Sequence, residues 1–150
     1  MIFVRILVLN GPNINMLGVR EPKLYGKQTY TDLLSMIEKE AERLGVEVEC
    51  VQSNHEGALV DAIQRAYFEH MDGIVINPAA YTHTSVALLD ALKAVEIPAV
   101  EVHITDPDAR EAFRHVSYIR DVVIASIRGH GLEGYLEALR LLAGKAANRS

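Results

Sequence analysis

Near its start the chain reads Ile6-Leu7-Val8-Leu9, followed directly by Asn10-Gly11-Pro12-Asn13-Ile14-Asn15. A short apolar run without polar alternation is typical of a strand buried on both faces at the centre of a parallel sheet. The polar sequence after it, punctuated by glycine and proline, continues to Gln28. Most strand-to-helix links take only about 2–6 residues, and longer ones are usually functional. We therefore predict a binding loop here, with a lid over about residues 18–28.

Four further apolar runs predict strands at residues 46–52, 74–77, 98–103 and 122–127. Residues 46–52 alternate between apolar and polar, which suits a sheet edge. Helical patterns separate the runs: one begins after Thr29, a short helix is expected around 109–115, and a last helix carries Leu132, Leu136 and Leu139. This alternation predicts a doubly wound sheet of five parallel strands in the flavodoxin-like order 2-1-3-4-5, with helices on both faces.

The whole chain of 150 residues is expected to form a single domain, with a frayed tail over residues 144–150. Its composition, 49% apolar and 23% charged, is that of an ordinary globular protein. A net charge of −5 argues against a nucleic-acid surface, which needs clustered lysine and arginine. No apolar run is long enough for a membrane span, and no signal-peptide pattern is present, so we expect a cytoplasmic protein.

Polar clusters lie at the carboxyl ends of four of the predicted strands, at residues 10–15, 53–56, 77–85 and 101–105. Any one cluster alone is explained by turns and helix caps, and that explanation is favoured for Asn10, Asn15, Ser53 and Asn54. However, the carboxyl ends of parallel strands converge at one edge of a sheet. The four clusters together therefore predict a pocket there.

Glu101 and His103 lie two residues apart on a predicted strand, so their side chains point to the same face. A buried carboxylate needs a partner, and it can orient an imidazole and raise its basicity. The alternative is a histidine with a purely structural hydrogen bond. Position alone says less about His83, and His70, His115 and His130 suit surface or capping roles. No histidines and carboxylates recur at metal-ligand spacing, so no metal site is predicted.

Arg20 and Tyr25 share the predicted lid. A phenol is a poor base at its reference pKa of about 10, but a neighbouring guanidinium favours tyrosinate and lowers that pKa. In the alternative interpretation, Tyr25 merely anchors the loop and Arg20 is solvated.

Several longer motifs occur in order along nearly the whole chain. They are Leu9 to Asn15, Gly18 to Pro22 with Tyr25-Gly26, Gln52 to Gly57, Asn77 to Ser85, Glu101 to Ile104, and Arg110 to His115. Together they closely resemble the type II 3-dehydroquinate dehydratases of the shikimate and quinate pathways.

The resemblance implies a cofactor-free anti elimination of water from 3-dehydroquinate, giving 3-dehydroshikimate through an enolate. It implies that Tyr25, as tyrosinate sustained by Arg20, removes the proton next to the ketone. Asn13 would hold a water that stabilises the enolate oxygen. His103, oriented by Glu101, would protonate the departing hydroxyl.

The resemblance also implies a set of substrate-binding positions and an assembly. The binding positions are Asn77, His83, Arg114, the backbone amides of Ile104 and Thr105, and Asp90 reaching in from a neighbouring subunit. The assembly would be a homo-oligomer in which trimers form a dodecamer. No metal, membrane or nucleic-acid partner is implied.

Two positions depart from the family pattern. Where the family commonly has Ile-Ser-Asn after the histidine, this chain has Ile104-Thr105-Asp106. Threonine keeps both a hydroxyl and an amide, so binding is expected to survive. Asp106 adds a negative charge near a carboxylate site unless it turns away to cap its own helix, as the following Pro107 suggests.

Three other classes of protein compete with an enzyme on this predicted fold. A flavin-binding module would want a Gly/Ser/Thr-rich phosphate loop, which Gly11-Pro12-Asn13-Ile14 is not. A response-regulator-like domain would want clustered acids at the strand ends, and they are absent from the sequence. The sequence is also compatible with a catalytically inactive interaction protein, although Arg20, Tyr25 and His103 are all present.

Overall fold

A computed structural model describes residues 3–19 and 21–148, and for Leu24 and Tyr25 it describes the backbone alone. The strands are β1 (Arg5–Asn10), β2 (Glu47–Gln52), β3 (Gly73–Asn77), β4 (Ala99–His103) and β5 (Ala125–Arg128). The α-helices are α1 (Pro22–Tyr25), α2 (Tyr30–Leu44), α3 (Glu56–Phe68), α4 (Val86–Val95) and α5 (Glu133–Ala147). Four short 3-10 turns lie at Ile14–Met16, Ala79–His83, Pro107–Ala109 and Ala112–Arg114.

The five strands form one parallel sheet in the order β2-β1-β3-β4-β5, as the sequence predicts. β1 lies between β2 and β3, and its residues from Ile6 to Asn10 are all buried. β2 is an edge strand whose residues are at most half-buried, which explains its alternating pattern.

Alternate residues of the strands build two cores, one on each face of the sheet. Ile6, Val8 and Val102 pack on one face with α2 and α5, and Leu7, Leu9 and Ile76 pack on the other with α3 and α4. The period-two alternation of side chains in a strand requires both faces to be covered when every residue is apolar. The helices on both faces therefore follow from the uninterrupted apolar runs.

Local signals set the helix ends. The hydroxyl of Thr29 accepts a hydrogen bond from the backbone of Asp32, whose carboxylate accepts one from the backbone of Thr29, so α2 begins with a capping box. Gly45 ends α2 in the left-handed conformation at φ 71°. The Oγ of Ser85 caps α4 by accepting from the amide of Leu88 at 3.0 Å. The start of α2 after Thr29 agrees with the sequence-based expectation.

The structure corrects three predicted boundaries. β5 begins at Ala125 rather than at 122, because the amide of Val122 bonds back to the carbonyl of Ile119 and closes a turn. The short helix expected around 109–115 is two 3-10 turns, because Arg110 between them is extended. At the C-terminus α5 continues to Ala147, so the tail expected to fray from Gly144 is helical that far. Within the expected lid, residues 22–25 form α1.

In the described part of the chain, no helix is both long and apolar enough to cross a membrane. The single cysteine, Cys50, is half-buried on β2 against the core. Burial raises the pKa of its thiol to about 12, so it is a packing residue there.

Candidate active site

A cavity of about 180 Å³ opens at the carboxyl ends of β1, β3 and β4. The loops that follow these strands supply its walls, as expected for an open α/β sheet. Its lining consists of Pro12, Asn13, Ile14, Asn77, Ala79, Ala80, His83, His103, Ile104, Thr105, Pro107, Arg110 and Arg114.

Gly11 brings the loops after β1 and β3 together. Its amide donates a 2.8 Å hydrogen bond to the carbonyl of Asn77. A Cβ atom at position 11 would lie 2.3 Å from the carbonyl oxygen of Pro78, so no other residue fits. Asn13 follows in the left-handed conformation at φ 70°, which asparagine tolerates better than most residues. Its exposed side chain thereby lies in the cavity wall.

Glu101 and His103 form a buried pair on β4. Oε2 of Glu101 lies 2.5 Å from Nε2 of His103, and the glutamate is fully buried. Because an ionised carboxylate only accepts, Nε2 is the donor. The other ring nitrogen, Nδ1, is left for a molecule in the cavity that the ring lines. The structure thus confirms the predicted shared face of the two side chains.

Opposing effects act on the Glu101 carboxylate. Burial favours its neutral form, whereas the hydrogen bond and charge of His103, the hydroxyl of Ser117 and the charge of Arg120 favour the anion. The balance lies with the anion, and the pKa of Glu101 is below its ordinary value. A charged glutamate is what orients an imidazole and stabilises its protonated form.

Asn77 is held from behind by Tyr135. The amide nitrogen of Asn77 donates to the Tyr135 hydroxyl at 2.8 Å, and that hydroxyl donates to Oδ1 of Asn10 at 2.6 Å. All three residues are buried. The turn role expected for Asn10 is therefore wrong: it is the last residue of β1, and its side chain belongs to this buried network. Ser53, in contrast, accepts from the amide of His55 in a turn, as expected.

His83 presents a defined tautomer to the cavity. Its Nδ1 lies 2.7 Å from the carbonyl oxygen of Val116, which can only accept, so Nδ1 carries a proton. Burial is the main cause that lowers the pKa of His83, and the nearby charges of His103, Arg114 and Arg110 act in the same direction. The neutral ring then offers Nε2 as a hydrogen-bond acceptor.

The segment after β4 supplies positive charge. Arg110 and Arg114 both line the cavity, and Nε of Arg114 is held by Glu111 at 2.7 Å. The guanidinium of Arg114 also lies 5.0 Å from the ring centre of Phe113. Among the described residues, the lining contains two arginines, two histidines and no carboxylate. Such a cavity suits a small anionic molecule.

Asp106 turns away from this cavity. Its Oδ1 accepts a 3.0 Å hydrogen bond from the amide of Asp108 and caps the 3-10 turn that begins at Pro107. The carboxylate is exposed and is not in the cavity lining, which confirms the capping role suggested by Pro107. Thr105 and Ile104, immediately before it, do line the cavity.

Comparison with known proteins agrees with this architecture. The family model described as "Dehydroquinase class II" matches residues 4–143. The chain belongs to the class II dehydroquinase family.

Relatives of this dehydroquinase-family chain match over nearly their whole length. It is 55% identical over 146 residues to 3-dehydroquinate dehydratase 1 of Corynebacterium efficiens, covering 97% of this chain and 96% of the relative. It is 53% identical over 138 residues to the 3-dehydroquinate dehydratase of Caldicellulosiruptor bescii, covering 92% and 95%. The crystal structure of the type II dehydroquinase from Butyrivibrio crossotus superposes with a TM-score of 0.92 at 51% identity, covering 93% of this chain and 97% of that one.

The structure brings together most of the residues proposed from sequence. Seven line the cavity, and Glu101 lies behind His103: the seven are Asn13, Asn77, His83, His103, Ile104, Thr105 and Arg114. Asp90 is not in the lining and lies exposed on α4. Arg20 lies outside the described residues, as does the side chain of Tyr25, whose backbone ends α1.

Four residues near the cavity carried no individual prediction. Arg110 lines it, Ser117 and Arg120 approach Glu101, and Tyr135 holds Asn77. The buried tyrosine hydroxyl on the apolar stripe of α5 was a usable signal, because such a group needs a partner. In the described chain, no group of three histidine, cysteine or acidic side chains is placed to hold a metal ion.

Proposed function

We propose that this protein is a type II 3-dehydroquinate dehydratase, a hydro-lyase that converts 3-dehydroquinate into 3-dehydroshikimate and water. The observation that carries the proposal is the Glu101–His103 pair at the wall of a cavity lined by two arginines. The pair offers an oriented acid, and the arginines suit a substrate that carries a carboxylate. Family membership and the names of the close relatives support the same activity.

The proposed reaction begins with removal of a proton from the carbon next to the ketone. Tyr25, as tyrosinate, is the proposed base, and the guanidinium of Arg20 lowers the pKa of the phenol by favouring its anion. The electron pair released from the C–H bond forms the enolate. Asn13 holds the water that stabilises the enolate oxygen, a role suited to a neutral amide.

The second step expels the hydroxyl group. The enolate collapses to a conjugated ketone as the C–O bond breaks, and His103 gives the departing oxygen a proton, so that water leaves. Since Nε2 of His103 is engaged by Glu101, Nδ1 is the proposed donor. The base keeps the first proton and the acid loses one, and proton exchange with water restores both groups.

The remaining cavity residues bind and orient the substrate in this proposal. The guanidinium of Arg114 and the backbone amides of Ile104 and Thr105 approach the carboxylate side, and Asn77 and His83 bind hydroxyls. His83 accepts through Nε2, because its Nδ1 is bound to the carbonyl of Val116. No cofactor takes part in these steps.

We also propose a homo-oligomer of trimers, assembled into a dodecamer, in the cytoplasm. Asp90 supports this, because it lies exposed on α4 away from its own cavity and so is suited to complete a neighbour's. Sedimentation is expected to show a species larger than a trimer. A fully active monomer would contradict the assembly.

The activity is tested by adding 3-dehydroquinate to the purified protein and following the absorbance of the conjugated product enone. Steady growth of the enone signal is expected, and it is expected to be lost in Tyr25→Phe. A flavin spectrum on the purified protein, or no enone with a correctly folded chain, would favour the competing binding-module classes instead.

A further inference from the structure

A second layer of residues lies behind the Glu101–His103 pair. Glu101 is fully buried, and its Oε2 accepts from both His103 at 2.5 Å and the Oγ of Ser117 at 2.7 Å. Its other oxygen, Oε1, is also buried but has no hydrogen-bond partner among the described residues. A buried carboxylate oxygen without a partner is costly unless a positive charge compensates it.

Arg120 supplies that charge. Its Nε lies 3.7 Å from Oε1 of Glu101, an ion-pair distance that is too long for a direct hydrogen bond. Nε and Nη2 of Arg120 are themselves buried without a hydrogen-bond partner in the described part of the chain. A buried carboxylate oxygen therefore faces the buried nitrogens of a guanidinium whose side chain is 29% exposed, and none of these atoms has a hydrogen-bond partner among the described residues.

We propose that Arg120 is a positioning residue for the reaction: its guanidinium keeps Glu101 ionised and in place behind His103. The inference rests on the proposed function for the role of His103 as acid. Arg120 does not line the cavity, so it acts through Glu101 rather than on the substrate.

Arg120 differs from the other groups that face Glu101, because it stays positively charged during the reaction. On β4 the carboxylate faces His103, and the segment before β5 contributes Ser117 and Arg120. On the neighbouring strands its register partners are Ile76 and the neutral Ser126. His103 is charged only while it holds the proton that it is proposed to donate. Arg120 is charged throughout, so it keeps Glu101 anionic after that proton has gone.

Loss of Arg120 is expected to change the pKa of Glu101 in a definite direction. Burial alone raises the pKa of Glu101, and the positive charges of His103 and Arg120 are among the causes that lower it. Removing one of those charges must raise this pKa, so the carboxylate takes up a proton at higher pH. A protonated Glu101 no longer accepts two hydrogen bonds at a charged oxygen, and it stops stabilising the His103 cation.

The test uses Arg120→Gln in protein labelled with ¹³C at the glutamate carboxyls, with the Glu101 signal assigned from Glu101→Gln. We expect the Glu101 titration midpoint in Arg120→Gln to move to higher pH than in the wild type. We also expect kcat to fall with little change in KM, because Glu101 then orients His103 and stabilises its cation less well. Arg120→Lys is expected to restore part of the shift, because it keeps the charge without the planar fork.

Arg65→Gln is the matched control. It removes the same charge from α3, where Arg65 pairs with Glu49 and Glu69. The Glu101 midpoint and kcat are expected to stay at their wild-type values. A Glu101 midpoint that is the same in Arg120→Gln as in the wild type would overturn the inference.

Failure of the proposed function can be distinguished from failure of this inference. If wild-type protein does not consume 3-dehydroquinate, the proposed function fails, but the titration still tests the link between Arg120 and Glu101.

If Arg120→Gln does not fold, the double variant Arg120→Gln/Glu101→Gln is expected to fold, because the uncompensated charge is gone. A double variant that stays unfolded would show that Arg120 has a packing role instead.

Discussion

The amide nitrogen of Asn77 donates a 2.8 Å hydrogen bond to the hydroxyl of Tyr135, which lies 58 positions further along the chain. The bond joins the end of β3 to the core face of α5 beneath the cavity. Oδ1 of Asn77 meanwhile accepts from the amide of Ala79 at 3.1 Å. The amide plane is therefore fixed from two sides before any ligand binds.

Tyr135→Phe is expected to destabilise the protein by about 1–3 kcal/mol, the usual cost of leaving buried polar groups without a partner. The groups affected are Nδ2 of Asn77 and Oδ1 of Asn10. Urea unfolding measures the change. Tyr67→Phe is the control, because Tyr67 is 53% exposed and its ring lies outside the core. Equal stability of Tyr135→Phe and the control would mean that the network contributes nothing.

His103→Asn is expected to lower kcat by about 10²–10⁴, the typical loss when general acid help is removed. KM is expected to change little, because protonation of the leaving hydroxyl is needed only along the reaction path. Steady-state kinetics with 3-dehydroquinate measure both constants. His130→Asn, at an exposed histidine paired with Glu137, provides the control. If turnover held and KM alone rose, His103 would be a binding residue.

The proposed base is tested by pH-rate profiles at saturating substrate. Arg20→Ala is expected to move the ascending limb to higher pH, because losing the guanidinium raises the pKa of Tyr25, each unit being worth about 1.36 kcal/mol. Tyr25→Phe is expected to abolish activity. Arg20→Lys is expected to recover part of it, since an ammonium restores the charge without the fork.

An Arg20→Ala limb that coincides with the wild type would argue against this assignment. So would a Tyr25→Phe enzyme that still turns over well. In either case, the loop would close over the substrate without supplying the base.

No covalent intermediate is expected on a lysine. All five lysines, Lys23, Lys27, Lys39, Lys93 and Lys145, are exposed, so none has the buried setting that makes an amine nucleophilic at neutral pH. Borohydride added with substrate should leave the protein mass unchanged. A stable adduct on a lysine would replace the enolate mechanism with a Schiff base.

Glu40 connects the stability of the fold to pH. Hydrogen bonds from Arg43 and then from Arg140 lower the pKa of this buried carboxyl from 4.5 to about 2. A lowered folded-state pKa contributes stability above the unfolded value, and that contribution is lost as pH falls from about 4.5 toward about 2. Acid therefore weakens the contact between α2 and α5 that these residues make.

Glu40→Gln is expected to lower the free energy of unfolding by about 1–2 kcal/mol at pH 7. This value lies between the typical contribution of an exposed ion pair and that of a buried hydrogen bond to a charged group. The cost is expected to shrink as the pH approaches 2, where the wild type has lost the same interaction. Urea unfolding at several pH values measures both. Glu42→Gln, at an exposed position of the same helix, should show no such trend. A cost for Glu40→Gln that is independent of pH would contradict the role of the charge.

Local patterns in the sequence decided the alternation of strands and helices, the two-sided core and the shared face of Glu101 and His103. Each follows from a periodicity or a cap that neighbouring residues settle among themselves. The strand ends also located the cavity, because parallel strands must bring those ends to one edge. Resemblance to a family, rather than periodicity, supplied the roles of Tyr25 and Arg20.

Only the tertiary structure decided which residues that are distant in the sequence lie near that edge of the sheet. Asparagine is common in turns, yet the side chain of Asn10 accepts a hydrogen bond in the core from a tyrosine 125 positions away. Arg120 follows a stretch with no motif of its own, and only the path of the chain back toward β4 sets it beside Glu101. Hydrogen bonds and charges act through space, so a partner that far along the chain leaves no periodic trace in the sequence.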